Sequence, residues 1–384
     1  MKRTLLLCFL AYSIHLSSQV STLLAIKPRL QWPNANGYCG ETSIQMCGLY
    51  YGNYISQDLC RTVAGGEVLI NVNDTSALSS FSFTFQEWDP SAPTPQYQNY
   101  LDWIKQYLSK KHPVIITVYI KGLSDPDYDH IIPAIGFNAG SVNTYAGTDQ
   151  LTYNSCFDTT SFTRAFASIY DTRSMNGNGA TYSYCIPQNV NYGVAVTGIK
   201  DPGRLTRPVH IVLDSLDEPN VSLGTAPRKM KAWVTADSLT PGQSYALLRY
   251  NNYQTVPSSG FSPSNASSAF YFTAAGMKVT EKDSFMSNAG VFYRCIPYTA
   301  TLVRENTENK PEFGVFPNPS SGMLTISLPM DAEKVFVTDM LGQCLMERTV
   351  RGMSREEIEL HSPGLYLVKV TAGGTSGIRK VIIR

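Results

Sequence analysis

Along this chain the hydrophobic period shifts from that of a helix to that of a strand, and the shift limits the folds open to it. Cys39, Ile44, Cys47, Gly48 and Tyr51 recur at helical spacing, as do Tyr97, Leu101, Ile104 and Leu108 within Gln96–Lys111. Strands are then predicted at Val114–Ile120, His130–Phe137 and Gln150–Asn154. A short helix follows at Ser161–Tyr170, with further strands at Tyr182–Ile186 and Gly193–Ile199. Helix first and antiparallel sheet afterwards predicts an α+β domain. From about Arg207 to Arg304 no helical period is visible. Alternating runs at His210–Leu213, Met230–Val234 and Ser244–Tyr250 are separated by turn clusters such as Leu239-Thr-Pro-Gly-Gln243, which predicts a β-sandwich. The polar stretch Glu305–Glu312 reads as a linker. Beyond it Thr325–Leu328, Val335–Gly342, Glu357–Val368 and Arg379–Arg384 predict a second, smaller β-sandwich.

Length agrees with several domains, because single cores stop growing well before 384 residues. The expected layout is a signal peptide at 1–25, an α+β domain at 26–205, a β-sandwich at 206–304, a linker at 305–312 and a C-terminal domain at 313–384. Gly198, Asp201-Pro-Gly203 and Arg204 mark the first internal boundary. The leader is read from Lys2 and Arg3 followed by an apolar run too short to span a bilayer, with cleavage between Ser18 and Ala25. No later segment has the length of a membrane helix, so no transmembrane segment is expected in the mature protein. Charge nearly cancels, at 31 basic against 30 acidic residues, and no basic cluster is interleaved with aromatics. That argues against nucleic acid as a partner. No Cys-x-x-Cys or His-x-x-x-His spacing occurs, so neither a zinc site nor another cofactor is expected. Export permits disulfides, and proximity suggests Cys47–Cys60 and Cys156–Cys185, although sequence cannot fix connectivity.

The chemistry-bearing candidate is Cys39, which follows the loop formers Asn34, Asn36 and Gly37 and opens the first helix. Unpaired N–H groups and the positive end of the helix dipole favour a thiolate there, and Gly40 permits close approach of another group. A nucleophile of this kind needs a base. Of five histidines, His15 lies in the leader, His361 in the tail, His112 in a Lys-rich turn and His210 in an ordinary alternating strand. His130 opens the buried run His-Ile-Ile-Pro-Ala-Ile-Gly-Phe and is the candidate. The residue that would orient its ring comes from the next strand, as Asn154 or Asp158.

The order Cys, His, Asn/Asp on consecutive core elements resembles papain-like cysteine peptidases, most closely the bacteriocin-processing branch and its C39-like relatives. The matching residues are Gln31, Cys39-Gly-Glu-Thr-Ser43, His130 with Gly136-Phe137, and Asn154, and the resemblance covers about 26–205. Gln31 lies farther from the cysteine than the family's glutamine, which leaves Asn34 or Asn36 as alternative oxyanion donors. Ser155-Cys156 stands where relatives often carry Asp-Pro. The resemblance implies a papain-like cysteine peptidase acting on a peptide or protein. Cys39 would be its nucleophile, His130 the base, Asn154 the orienter and Gln31 the oxyanion donor. The alternatives are a non-catalytic, adhesin-like binding protein on the same scaffold and a transglutaminase-type acyl transferase.

The 206–304 region resembles a fibronectin-type module through its Leu-x-Pro-Gly-x-x-Tyr turn. The tail resembles the C-terminal sorting domain of the type IX secretion system along its whole length: Pro317-Asn-Pro-Ser-Ser-Gly322 opens it, Pro363-Gly-x-Tyr366 forms a turn, and Lys380-x-Ile closes it. This implies the type IX machinery as a partner and delivery to the outer-membrane surface or the medium.

Overall fold

The computed structural model describes residues 19–33, 37–120, 130–171, 184–298, 311–339 and 342–384. The chain divides into two compact units, Met1–Thr299 and Ala300–Arg384. The first runs β1 (Val20–Leu23), α1 (Cys39–Tyr50), β2 (Asn53–Ile55), α2 (Gln57–Ala64), α3 (Asp74–Ser80), β3 (Phe83–Glu87) and α4 (Tyr97–Ser109). Next come β4 (Val114–Ile120), β5 (His130–Ala139), β6 (Gln150–Asn154), β7 (Ser161–Ala165), β8 (Tyr170–Asp171), β9 (Tyr184–Pro187) and β10 (Gly193–Ile199). It ends with β11 (Val209–Leu213), β12 (Lys229–Ala236), β13 (Ser244–Tyr250), β14 (Ser268–Thr273), β15 (Val279–Met286) and β16 (Gly290–Pro297).

A nine-stranded sheet follows the path β3-β10-β4-β5-β6-β7, with β1 added along β5 and β9 along β4. Two smaller sheets, β11-β12-β15 and β14-β13-β16-β2, complete the unit. Helix α1 lies between cores. Met46 packs with α4 and the large sheet, while Ile44 and Cys47 pack with Phe81, Leu248 and Phe292. Its polar residues Glu41, Thr42, Ser43 and Gln45 are buried as well, so the expected amphipathic face is replaced by burial on every side.

The expected papain-like α+β fold is therefore corrected. Among the described residues twenty-three strands stand against four α-helices. The helix expected at Ser161–Tyr170 is strand β7, a single 3-10 turn at Phe166–Ser168 and strand β8. Residues Ser161 to Ala165 pair antiparallel with β6, from Asn154↔Ser161 to Gln150↔Ala165, and the Thr152 and Thr163 hydroxyls meet across the ladder at 2.9 Å. Cross-strand pairing outweighs the weak local helical preference of so short a run. Immediately after α1, strand β2 pairs with β16, Ile55 opposite Gly290 and Asn53 opposite Phe292. Residues of the 26–205 and 206–304 regions thus complete one sheet instead of forming a helical lobe followed by a separate sandwich. The seven described cysteines are all free thiols, so neither suggested disulfide is formed.

The second unit is β17 (Gly314–Phe316), β18 (Met323–Ser327), β19 (Ala332–Asp339), β20 (Cys344–Thr349), β21 (Arg355–Glu359), β22 (Gly364–Ala372) and β23 (Thr375–Ile383). Sheets β17-β18-β21 and β20-β19-β22-β23 enclose Leu324, Ile326, Val335, Val337, Ile358, Val368, Val370 and Val381. The Pro-Asn-Pro opening is explained by the closing strand. The Asn318 side chain donates to Lys380 O at 2.7 Å and accepts from Ile382 N at 3.0 Å, while Ser320 N donates to Ile382 O at 2.9 Å. Both ends of the domain are stitched into one edge. Most of the expected linker, residues 305–310, lies outside the described residues, as do residues 1–18 of the leader.

Candidate functional site

Cys39 is the first residue of α1 and is 9% exposed. The helix starts there without a side-chain cap, although the Thr42 hydroxyl and Thr42 N both donate to Tyr38 O, at 2.7 and 2.9 Å. Gly40 is required by packing against protein and not by access for a ligand: a Cβ there would meet Val68 O at 2.4 Å. Glu41 is buried beside it and paired with Arg61 at 2.6 Å, while the Arg61 guanidinium lies 3.4 Å from the centroid of the Tyr38 ring. This clamp fixes the start of α1 to α2.

His130 opens β5 opposite Val118 of β4 and is 2% exposed. Its ring is stacked on Phe157, centroids 4.2 Å apart and 9° from parallel, with Tyr184 at 5.2 Å. The Cys39 sulfur lies within reach of the Ile131 N–H, one residue along from His130. Ser43 Oγ donates to Ile131 O at 3.2 Å, and Cys156 Sγ lies 3.7 Å from the same oxygen and 3.9 Å from Cys39 O. Gln31 N donates to Cys156 O at 2.8 Å, and its side-chain Oε1 is buried without a hydrogen-bond partner among the described residues. The structure thus brings Cys39, the start of β5 and Gln31 into one neighbourhood. Asn34 and Asn36 lie outside the described residues.

Asn154 does not complete this group. Its Nδ2 donates to Ile26 O at 2.9 Å and contacts Met46 Sδ at 3.6 Å, while its Oδ1 accepts from Ser161 Oγ at 2.7 Å. Both ends of the amide are used in holding β6 against the N-terminal segment and β7. Asp158 accepts from Thr160 N at 2.8 Å and shapes the β6–β7 turn. His130 Nε2 is buried and has no hydrogen-bond partner among the described residues.

Electrostatics keep both candidate groups uncharged. Burial pushes the Cys39 thiol up to about 12, and the Glu41 and Glu67 carboxylates add to the rise against the lowering effect of the Ile131 and Gly40 N–H groups. Burial lowers His130 to about 3. The neutral thiol and neutral imidazole are a poor starting point for nucleophilic attack at pH 7.

The buried imidazole has a measurable consequence. Its folded-state pKa of about 3 lies below the usual 6.5. Between those values the unfolded chain takes up a proton that the folded chain refuses, so stability falls as pH drops through this window. At about 1.4 kcal/mol per pH unit, the loss from this group between pH 6.5 and 4.5 is of the order of 2–3 kcal/mol. His130→Gln is expected to show a smaller drop in urea midpoint between pH 7.5 and 4.5 than the parent chain. Equal drops would mean that His130 is solvated.

Sequence reasoning named Ser43 and Ser155-Cys156 as motif positions and gave them no contact with the site, and it did not single out Phe157 or Tyr184. It also missed a polar hub. Glu218 accepts from Gln57 N at 2.7 Å, Gln45 Nε2 at 2.8 Å and the Tyr54 hydroxyl at 2.7 Å, with Arg29 at 3.8 Å. Arg29 Nε in turn donates to Gln45 Oε1 at 2.5 Å.

Comparison with known proteins identifies the C-terminal unit. Residues 314–384 match the family described as the secretion system C-terminal sorting domain. The chain carries a type IX secretion sorting domain and is delivered to the outer-membrane surface or the medium. No curated relative matches the chain. Among solved structures it is similar to PorZ of Porphyromonas gingivalis, described as an essential surface component of the type IX secretion system. Identity is 16% and the TM-score 0.17, over 26% of this chain and 15% of PorZ. It is also similar to a two-domain fibronectin type-III segment of chicken tenascin, at 12% identity and TM-score 0.16, over 47% of this chain and 99% of that segment. HBP35 of Porphyromonas gingivalis is 14% identical at TM-score 0.18, over 47% of this chain and 65% of that protein. No helix among the described residues is long and apolar enough to cross a membrane.

Proposed function

We propose that this is an exported surface protein whose first unit binds a partner and does not cleave it. The observation that carries this reading is the commitment of Asn154 to Ile26 and Ser161. It leaves His130 without an orienting amide, beside a thiol whose pKa burial has raised. A triad acts through hydrogen bonds that fix the tautomer and poise the base, and those bonds are spent elsewhere. The second reading is a cysteine hydrolase or acyl transferase. It is favoured by the approach of the Cys39 sulfur to Ile131, which puts the thiol beside the start of β5.

Alkylation of the full chain with iodoacetamide near neutral pH, followed by mapping of the label, separates the two. Binding predicts that the exposed Cys344 reacts first and that Cys39 reacts slowly, with no change in His130→Ala. Preferential labelling of Cys39 that depends on His130 would overturn the binding reading in favour of the hydrolase.

A further inference from the structure

A cleft of about 580 Å³ opens in the first unit at the end of α1 opposite Cys39. With twelve residues in the helix, the two sites are separated by about 17 Å at 1.5 Å rise per residue. The inference drawn from the cleft holds whichever way Cys39 behaves. Its volume falls in the range that encloses one small organic ligand, roughly 300–1,000 Å³.

Three cations line it: Lys110 and Lys111 from the turn after α4, and Arg207 from the approach to β11. Neither lysine has a carboxylate partner among the described residues. The one carboxylate on the wall, Asp237, is already held by Lys278 at 2.8 Å. Arg207 Nε is buried and has no hydrogen-bond partner among the described residues. The cleft therefore presents two exposed lysines and an arginine whose side chain also reaches Tyr245, and the Arg207 Nε is left a buried donor without an acceptor among the described residues, a costly state for a polar group.

The backbone points the same way. Lys110 caps the C-terminus of α4, and Lys111 follows in the left-handed conformation at φ 67°. Glycine is the usual residue there because it has no Cβ to strain. The chain instead carries a side chain ending in an ammonium group at this position.

Tyr50, Tyr51, His112, His210 and Tyr293 make part of the remaining wall aromatic. His210 Nδ1 lies 2.6 Å from Tyr50 O, and its ring is 4.9 Å from that of Tyr50. The contact sets Tyr50 in place beside the cations. His112 meets the Tyr51 hydroxyl at 3.3 Å. Burial holds both histidines below their ordinary range, so at neutral pH the positive charge belongs to the lysines and the arginine.

We propose that this cleft binds an acidic sugar unit, its carboxylate between Lys110, Lys111 and Arg207 and its ring against Tyr50. A bare inorganic anion would use the charges and leave the aromatic wall and most of the volume unfilled. A neutral sugar would use the wall and bring no negative charge to Lys110, Lys111 and Arg207.

Calorimetry on the full chain at low salt, with a galacturonic acid trimer as probe, tests this. A neutral galactose trimer and inorganic phosphate are the comparison arms. The acidic trimer is expected to bind, and each comparison ligand to bind at least about tenfold more weakly, a difference worth one charge-assisted contact. Lys111→Gly removes the cation and suits the left-handed backbone, so it should weaken the acidic trimer about tenfold while leaving the melting temperature unchanged or higher. Absence of binding, equal binding of the neutral trimer, or full affinity in Lys111→Gly would overturn the proposal. Phosphate binding as tightly as the acidic trimer would also overturn it, reducing the cleft to a simple anion site.

Discussion

Removal of residues 311–384 is expected to abolish delivery to the surface or medium while leaving the first unit folded. The seven strands from β17 to β23 bury their own apolar residues, with Val335, Val337, Val368 and Val370 among the most deeply enclosed. The first unit has cores of its own, built around α1, α4 and its three sheets. Domains with separate cores fold separately. The measurement is fractionation of cells producing the truncated and full chains, with a thermal melt of the truncated protein. Undiminished delivery of the truncated chain would remove the sorting role from these residues. Loss of its cooperative melt would show that the first unit depends on the tail.

The second large effect is expected at Glu218, a residue that sequence reasoning did not single out. Its carboxylate is fully enclosed, and burial raises its pKa against the lowering influence of Arg29, Gln57 N, Tyr54 and Gln45. Glu218→Ala would strand Arg29, itself 2% exposed, and take this acceptor from Gln57 N and Gln45 Nε2, while the Tyr54 hydroxyl keeps Ser287 O at 2.6 Å. Breaking a buried ion pair costs about 3–5 kcal/mol, against about 0–1 kcal/mol for an exposed one. Urea denaturation should therefore show Glu218→Ala near the limit of folding. Arg228→Ala, which breaks the exposed pair with Asp217 at 3.0 Å, should be almost neutral. A similar small loss in both variants would mean that water reaches the hub.

Much of the strand pattern was legible because a two-residue alternation leaves a local trace. Gln150–Asn154, Gly193–Ile199 and Ser244–Tyr250 are read with the bounds the structure gives them, and the helix read at Gln96–Lys111 is α4 with slightly frayed ends. The papain-like arrangement failed for a non-local reason. Nothing in Asn53-Tyr-Ile55 announces that it will leave α1 and join a strand from the end of the unit. The candidate site divides along the same line. A cysteine at a helix start and a histidine at a strand start can be read from neighbours in sequence, and the structure brings them to one region. What Asn154 bonds depends on where Ile26 and Ser161 come to lie, and an asparagine at a strand end looks the same in either case. The Glu218 hub joins residues more than a hundred positions apart, so no window along the chain contains it.

The pairing of β2 with β16 also governs when the first unit can exist. Arg294 donates to Asn53 Oδ1 at 2.8 Å across 241 positions of sequence, and the sheet of β13 and β14 gains β2 as its outermost strand only when both ends of the unit are present. Contacts of this span enter late, after the entropy of closing the intervening chain has been met. A chain released only as far as residue 200 has every strand of the nine-stranded sheet but lacks β13, β14 and β16, so β2 has no partner to pair with. Closure of the β14-β13-β16-β2 sheet, and of the core around Ile55, Leu248 and Phe292, therefore waits for the last strand of the unit.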